Sequence, residues 1–539
     1  MTDSFEQDSF FQRLTKERFA VFFLLGLCVF IALARYHTYD EPLEHDITAT
    51  AVIANEMRLG RPYYSDVWEN KPPALYIVHM AAQSLFGYGR GSLYAINVGL
   101  GILSLFGVYA AASSGAGSNT AGLWAAVFWT LASGDLDLQA NQPNTEAFMN
   151  PTIIWAFALF VRAGKSEGLP RVLRMIVIGA LVSWTSFYKP HCVVYAVLLS
   201  LAHLIYPPGA DAGARGRAIK DVLIIAAVGF VAWIGFFAYF FSTGRYQILY
   251  TTMFVYPRYY SGSMLSNVWS SFGEHLFPKQ MEYVHSLAFL TVVGGVVAWV
   301  GKGGRPWALL TAYALATQLA IGLPGRFYIH YYQLWLPLLA VGAGWSIVLL
   351  AQVFKEEYQK WLPHTFAAIA VVFMLQSEIW AYRMDPTEWS KKSYGGIYAT
   401  SEILARDIAR ILEPDETFYV LGDEPGFYFI TKRRPAVGVF FLQDVAGGPL
   451  AGELTGRVLR DLAGKPPDLV IIMNSVIGDK TVGPQNAKLG PEHPIRAWVS
   501  QNYCPVVPNP SQLFTICAKP GSSLERRDSY RALRAELSE

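Results

Sequence analysis

The chain is 539 residues long, 53% hydrophobic and 14% aromatic but only 16% charged, with a formal net charge of +2. That balance excludes an ordinary soluble globule, and no nucleic-acid partner is expected from so neutral a chain. Its apolar residues fall in long, frequent runs, the mark of a polytopic α-helical membrane protein.

In chain order the apolar segments lie at about 19–36, 92–112, 119–133, 147–161, 173–187, 192–206, 221–241, 286–301, 307–323, 333–351 and 364–381. Eleven crossings are predicted. Loops of one parity carry Arg13, Lys16, Arg18, Arg162, Lys165, Arg171, Arg174, Arg215, Arg217, Lys220, Lys302, Arg305, Lys355 and Lys360. Short cytoplasmic loops are enriched in such residues, so the amino terminus is expected in the cytoplasm and everything after about Arg383 beyond the cytoplasmic membrane. The first apolar run lacks a small-residue cleavage site and is expected to remain as a span. Pro72 to Phe86 is apolar but short, about 22 Å as a helix against a hydrocarbon core of roughly 30 Å, and is expected to lie at the outer interface. Ile47 to Leu59, with Ile47, Ala51, Ala54 and Met57 at helical spacing, is expected to be a second interfacial helix.

After residue 382 the apolar runs shrink to strand length. Thr417–Asp423, Asp468–Met473 and Leu513–Lys519 read as strands, and Ile397–Leu412 and Pro494–Asn502 as helices. The expected organisation is a membrane domain over 1–382 and a periplasmic or extracellular α/β domain over 383–539. Cys28 and Cys192 read as buried small hydrophobes. Cys504 and Cys517 flank Pro508, Asn509, Pro510 and Ser511, turn residues that allow the two thiols to meet in a disulfide.

One polar stretch separates the first two spans. From Arg35 to Lys71 it holds Asp40, Glu41, Glu44, His45, Asp46, Asp66, Glu69 and Lys71 against a bilayer. Charges are expensive there unless they do chemistry or bind charge, which makes this loop the candidate active site. Glycine-rich phosphate loops, HExxH, nucleophile elbows and Cys/His metal clusters are absent from the sequence. Four further polar loops face the same side: Asn141–Glu146, Tyr188–His191, the stretch 243–286 with Tyr256, Arg258, Tyr259 and Tyr260, and Gly325–Tyr332.

Taken in order, Asp46, Gly60-Arg61-Pro62-Tyr63, Asp66, Lys71-Pro72-Pro73, Phe86-Gly87, Asn144-Thr145-Glu146, Lys189-Pro190 and His330-Tyr331-Tyr332 followed by Pro337 resemble the GT-C superfamily of polyprenyl-phosphate-sugar glycosyltransferases. The protein O-mannosyltransferases and the lipid A aminoarabinose transferases belong to that superfamily. The resemblance covers about residues 20–380. The family usually has adjacent Asp and Glu in the first loop. Spacing to Gly60 aligns that pair with Asp46-Ile47, whereas the literal Asp40-Glu41 lies earlier, so Asp46 leads as the base, ahead of Glu44 and Glu41.

The resemblance implies a GT-C-like fold and an inverting glycosyltransferase. Its donor would be a polyprenyl-phosphate sugar whose tail stays in membrane lipid, and its acceptor a cell-envelope glycan, lipid or protein. Such a site must neutralise a phosphate and deprotonate a hydroxyl. Lys71, Lys189, Arg258 and Arg326 suit the first task and Asp46 the second; Asp40, Asp66, Glu146, His330 and Tyr331 are further site candidates. A monophosphate donor requires no cofactor, although a divalent ion is compatible with it. Simpler roles compete: helix capping for Asp46, snorkelling for Lys71, dipole stabilisation for Glu146, a turn at Lys189-Pro190, and an interfacial aromatic belt for His330. Two other functions compete as well, a secondary transporter and a binder of lipid-linked sugars that does not transfer them.

Overall fold

The computed structural model describes residues 10–165, 167–301, 304–478 and 487–537, with backbone alone at 10–17. Of the basic residues that set the expected orientation, Lys302 and the side chains of Arg13 and Lys16 lie outside the described residues.

Apolar runs became helices, because a chain in lipid must satisfy its backbone within each segment. They are α1 (Phe10–Tyr36), Arg90–Ala116, Asn119–Ala132, Thr145–Val161, Gly168–Ser186, Val193–Ile205, Ala214–Ser242, His285–Val300, Arg305–Gly322, Leu336–Ala351 and Leu362–Glu378. Six stretches are long and apolar enough to cross a membrane by length and composition: Arg18–Tyr36, Arg90–Ala116, Gly168–Ser186, Ala214–Ser242, Lys279–Val300 and Ile329–Ala351. Leu336–Ala351 runs through the centre of the bundle. Its Gly344 is approached so closely by Asn119–Ala132 that a Cβ would sit 2.7 Å from the Ala121 carbonyl oxygen, the close backbone contact that small residues permit in lipid. Ala214–Ser242 lies outermost and leaves Phe230, Val231 and Phe241 uncovered, a surface suited to acyl chains.

At the end of the bundle away from the first loop, Asp221 receives Arg171 at 2.7 Å and His203 Nε2 at 2.8 Å. Arg305 donates to the Phe160 carbonyl at 2.7 Å. Basic residues of that end therefore cap helix termini and pair internally.

Two short helices follow α1: α2 (His45–Arg58) and α3 (Ala74–Phe86). The latter spans about 20 Å, ends at Gly87, and exposes Ile77, Leu85 and Phe86. The sequence places α2 at the interface, but the structure buries it. Ile47 through Ala54 are all inaccessible, because α3 covers one side, with Gln83 Nε2 donating to the Ala51 carbonyl at 2.8 Å, and the helix Gly426–Thr431 covers the other.

The carboxy-terminal segment contains a three-stranded sheet in the order β1 (Phe418–Leu421), β2 (Leu469–Met473), β3 (Phe514–Ala518). β1 and β2 are parallel and β2 and β3 antiparallel, with Val470 opposite Cys517. Helices Ile397–Ile411, Ala451–Gly464 and Pro494–Asn502 accompany it, and a disulfide joins Cys504 to Cys517 of β3. One apolar core runs without a break from Ile47, Ile53, Tyr64 and Trp68 of the first loop into Ile408, Val420, Ile471 and Phe514. Backbone meets backbone where Trp68 N donates to Gly438 O at 2.9 Å.

Candidate active site

The first loop is built around the start of α2. Glu44 is its N-cap, and Oε2 accepts the Asp46 backbone N–H at 2.9 Å. Capping therefore falls to Glu44, which leaves the Asp46 carboxylate free to face Lys71 Nζ at 3.6 Å. Lys71 is held from behind: the hydroxyls of buried Tyr63 and Tyr64 both donate to its carbonyl, at 2.6 and 2.9 Å. Glu69 stands on its other side, 3.7 Å from Nζ, and accepts a hydrogen bond from Tyr76.

The Asn141–Glu146 and Tyr188–His191 loops supply a second pair. Glu146 Oε1 receives Lys189 Nζ at 2.5 Å, and that ammonium also lies 3.8 Å from the centre of the Tyr331 ring. Glu146 is 1% exposed, and its Oε2 has no hydrogen-bond partner among the described residues. His330 Nδ1 lies 3.3 Å from Gln139 Oε1. Tyr64, Gln139 and Phe327, all in these loops, hold positive φ angles of 71°, 57° and 49°. Strain of this kind persists where the surroundings over-determine it, which is common at functional sites.

Charge organises the cluster. Burial raises Asp46, but Lys71, His45, His330 and Lys189 outweigh it and hold the carboxyl well below its ordinary range. Burial lowers Lys71, yet Asp46, Glu69, Tyr331 and Glu44 keep it firmly cationic. Glu44 goes the other way, raised chiefly by burial. Asp46 and Lys71 retain 35% and 20% side-chain exposure, so this ion pair is partly open to solvent.

Asp46, Lys71, Glu146, Lys189, His330 and Tyr331 thus come together from four loops. Arg326 borders them: its guanidinium stacks 3.8 Å from the Tyr260 ring centre and donates to the Tyr260 carbonyl at 2.6 Å. Other sequence candidates stand elsewhere. Asp66 is gripped by Arg61 through two bonds of 2.9 Å. The side chains of Asp40 and Arg258 are exposed and make no hydrogen bond or ion pair among the described residues. Glu41 is fully buried, bound by the side-chain amides of Asn141 and, at 2.8 Å, Gln142. Gln142 Oε1 in turn accepts the Glu44 N–H at 3.1 Å, so Glu41 joins the two loops and faces away from the pair.

Sequence reasoning left His45 and Glu69 unassigned, although both lie in the polar stretch. It missed Tyr398, Asp423 and Glu424 altogether, which reach the loop from some 350 residues away and carry no motif. Glu44, His45 and Asp46 offer ligand atoms within 4.8 Å of one another, compatible with a divalent ion. As they stand, those atoms bind each other: His45 Nε2 is 3.1 Å from Glu44 Oε1 and Nδ1 is 2.6 Å from Tyr398 Oη. A metal would have to displace one of these bonds.

No protein-family model and no curated protein matches the sequence. Solved structures do resemble it. ArnT from Cupriavidus metallidurans bound to undecaprenyl phosphate superposes with a TM-score of 0.52 at 15% identity, over 84% of this chain and 93% of that one. The archaeal oligosaccharyltransferase AglB from Archaeoglobus fulgidus, in complex with an inhibitory peptide and a dolichol-phosphate, gives 0.52 at 12% identity, over 84% of this chain and 69% of its own. The chain shares the fold of these two proteins.

Proposed function

We propose that this protein is an inverting glycosyltransferase that moves a sugar from a polyprenyl-phosphate donor to an acceptor hydroxyl at the outer face of the cytoplasmic membrane. The observation that carries this reading is the partly exposed Asp46–Lys71 pair, 3.6 Å apart, beside the Lys189–Glu146 pair. A cation suited to a phosphate thus stands next to a carboxylate kept ionised. ArnT bound to undecaprenyl phosphate and AglB with dolichol-phosphate, which share the fold, support the choice of donor.

In this mechanism Lys71 and Lys189 hold the donor phosphate, with Arg326 at the rim. The acceptor hydroxyl oxygen attacks the anomeric carbon. The bond from that carbon to the phosphate oxygen breaks, polyprenyl phosphate departs with the electron pair, and the hydroxyl proton passes to Asp46. One displacement inverts the anomeric centre. Phosphate charge is met by lysines, so no metal is needed for the step. The unpartnered oxygen of Glu146 is suited to accept a hydroxyl of sugar or acceptor. Eleven spans, a cytoplasmic amino terminus and an outer carboxy-terminal unit over 383–539 complete the proposal, with a cell-envelope glycan, lipid or protein as acceptor.

Single-turnover incubation with radiolabelled polyprenyl-phosphate sugars tests it. Release of polyprenyl phosphate with the label in an acceptor is expected. Uptake of labelled donor across proteoliposomes would favour a transporter, and tight binding without release a carrier.

A further inference from the structure

We propose that the carboxy-terminal segment is a working part of the active site, in which Tyr398 is a positioning residue that orients His45 and, through Glu44, the first turn of α2 that presents Asp46. This rests on the reading of Asp46 as the acceptor base.

Three bonds form the line. Tyr398 Oη meets His45 Nδ1 at 2.6 Å, His45 Nε2 meets Glu44 Oε1 at 3.1 Å, and Glu44 Oε2 accepts the Asp46 N–H at 2.9 Å. Both nitrogens of the imidazole are engaged from opposite sides, so the ring cannot turn without losing one of them. The Phe441 ring, 5.7 Å away at 70°, closes a third side. Besides Tyr398, the titratable groups facing His45 are Glu44, Asp46, Glu424 and Asp423. The last two come from the carboxy-terminal segment, which therefore surrounds His45 with acid as well as holding it.

This tie is one of several between the segment and the loop, and it differs from the others in where it acts. Ser390 Oγ donates to the Pro42 carbonyl at 3.1 Å and Arg434 grips Glu56 at 2.7 Å, while Glu402 acts indirectly, pairing at 2.6 Å with Arg90, which donates to the loop's Tyr39 carbonyl at 3.2 Å. Arg457 donates to the Ser65 carbonyl at 3.0 Å. These fix the flanks of the loop and the far end of α2. Among the hydrogen bonds and ion pairs of the described residues, the Tyr398 tie is the one from the segment that reaches the turn bearing Asp46. A placement error of about an ångström at a reacting group costs on the order of a hundredfold in rate, so a bond that orients this turn bears on turnover more than on binding.

The test is Tyr398→Phe, which keeps the ring and removes the hydroxyl. Turnover should fall about tenfold, as expected for one hydrogen bond to a charged group, with KM for the polyprenyl-phosphate sugar unchanged within about twofold. Amide hydrogen exchange over residues 44–50 should rise while the melting temperature stays near wild type. Combined with His45→Gln, Tyr398→Phe should add no further loss, because it acts through that ring. Arg410→Gln on the exposed face of the same helix, where Arg410 pairs only with Asp407, should change neither turnover nor exchange. Unchanged turnover and exchange in Tyr398→Phe would overturn the proposal, as would a loss that tracks melting temperature and adds to that of His45→Gln. Were the wild-type protein to transfer no sugar, the glycosyltransferase reading would fail, and the exchange measurement would still decide whether Tyr398 orders the turn.

Discussion

Asp46 and Glu44 lie two positions apart, yet their surroundings push them in opposite directions. Glu44 turns toward the protein, where burial favours its neutral form, whereas Asp46 turns toward Lys71 and stays charged. A base must be ionised and open to a substrate, and of these two carboxylates Asp46 fits that proposed role better. Lys71→Ala should weaken binding of the polyprenyl-phosphate donor by about tenfold or more, the worth of a charge-assisted contact; equilibrium binding of undecaprenyl phosphate checks this. Glu41→Ala should instead lower stability by about 1 to 3 kcal/mol, by orphaning the amides of Asn141 and Gln142, and calorimetry in detergent would show it. Glu41, Glu424 and His45 also make a joint prediction about pH. Burial raises Glu41 and Glu424, each to about 8. Burial opposes the rise of His45, but Glu44, Asp46, Glu424 and Asp423 carry it to about 8 as well. A group raised on folding stabilises fully below its unfolded value, 4.5 for the glutamates and 6.5 for the histidine, and that stability is lost as pH climbs through about 8. The protein should melt higher at about pH 6 than at about pH 9, and Glu424→Gln should shrink the difference.

At the scale of elements, the helices and strands were legible because their patterns are local. Long apolar runs marked the helices of the bundle, and apolar runs of strand length marked β1, β2 and β3 within a residue or two at each end. The burial of α2 was not legible. Its sequence has an apolar stripe and small residues, which suit a membrane surface as well as a protein interior. What covers it on one side is the helix Gly426–Thr431, which lies more than 360 residues further along the chain. Gly438 shows the same limit: a Cβ there would sit 1.8 Å from the Asp66 carbonyl oxygen, so only glycine lets the two backbones meet, but nothing near it in sequence says so. Gly438→Ala should part the first loop from the sheet and reduce both stability and turnover. The disulfide acts more locally. Cys504 and Cys517 are 13 residues apart, and closing so short a loop is worth about 2 to 3 kcal/mol in the chain-entropy model. Cys504→Ser with Cys517→Ser should lower the melting temperature without changing donor affinity.

For the molecule as a whole, the candidate site was half legible. The residues proposed to meet substrate, Asp46, Lys71, Glu146 and Lys189, announce themselves as polar groups beside apolar runs. Of the residues that hold them in place, Tyr64, Gln142 and Tyr398 carry no signal of their own in the sequence and gain their roles only through folding. The same holds for Asp66 and Arg258, whose residue type suits the chemistry but whose positions point them elsewhere. Orientation remains a matter of charge bias, and a cysteine at Ser522 should react with an impermeant thiol reagent from outside the cytoplasmic membrane; labelling only after lysis would reverse the topology. The central claim is that Asp46 takes the proton while the lysines hold the donor. Asp46→Asn is nearly isosteric and cannot accept that proton. Its most direct test is turnover and donor affinity measured together in this variant, with Asp40→Asn as the control. Turnover should drop by about 10² to 10⁴ with donor affinity near wild type, and Asp40→Asn should leave both intact. Wild-type turnover in Asp46→Asn would contradict the account.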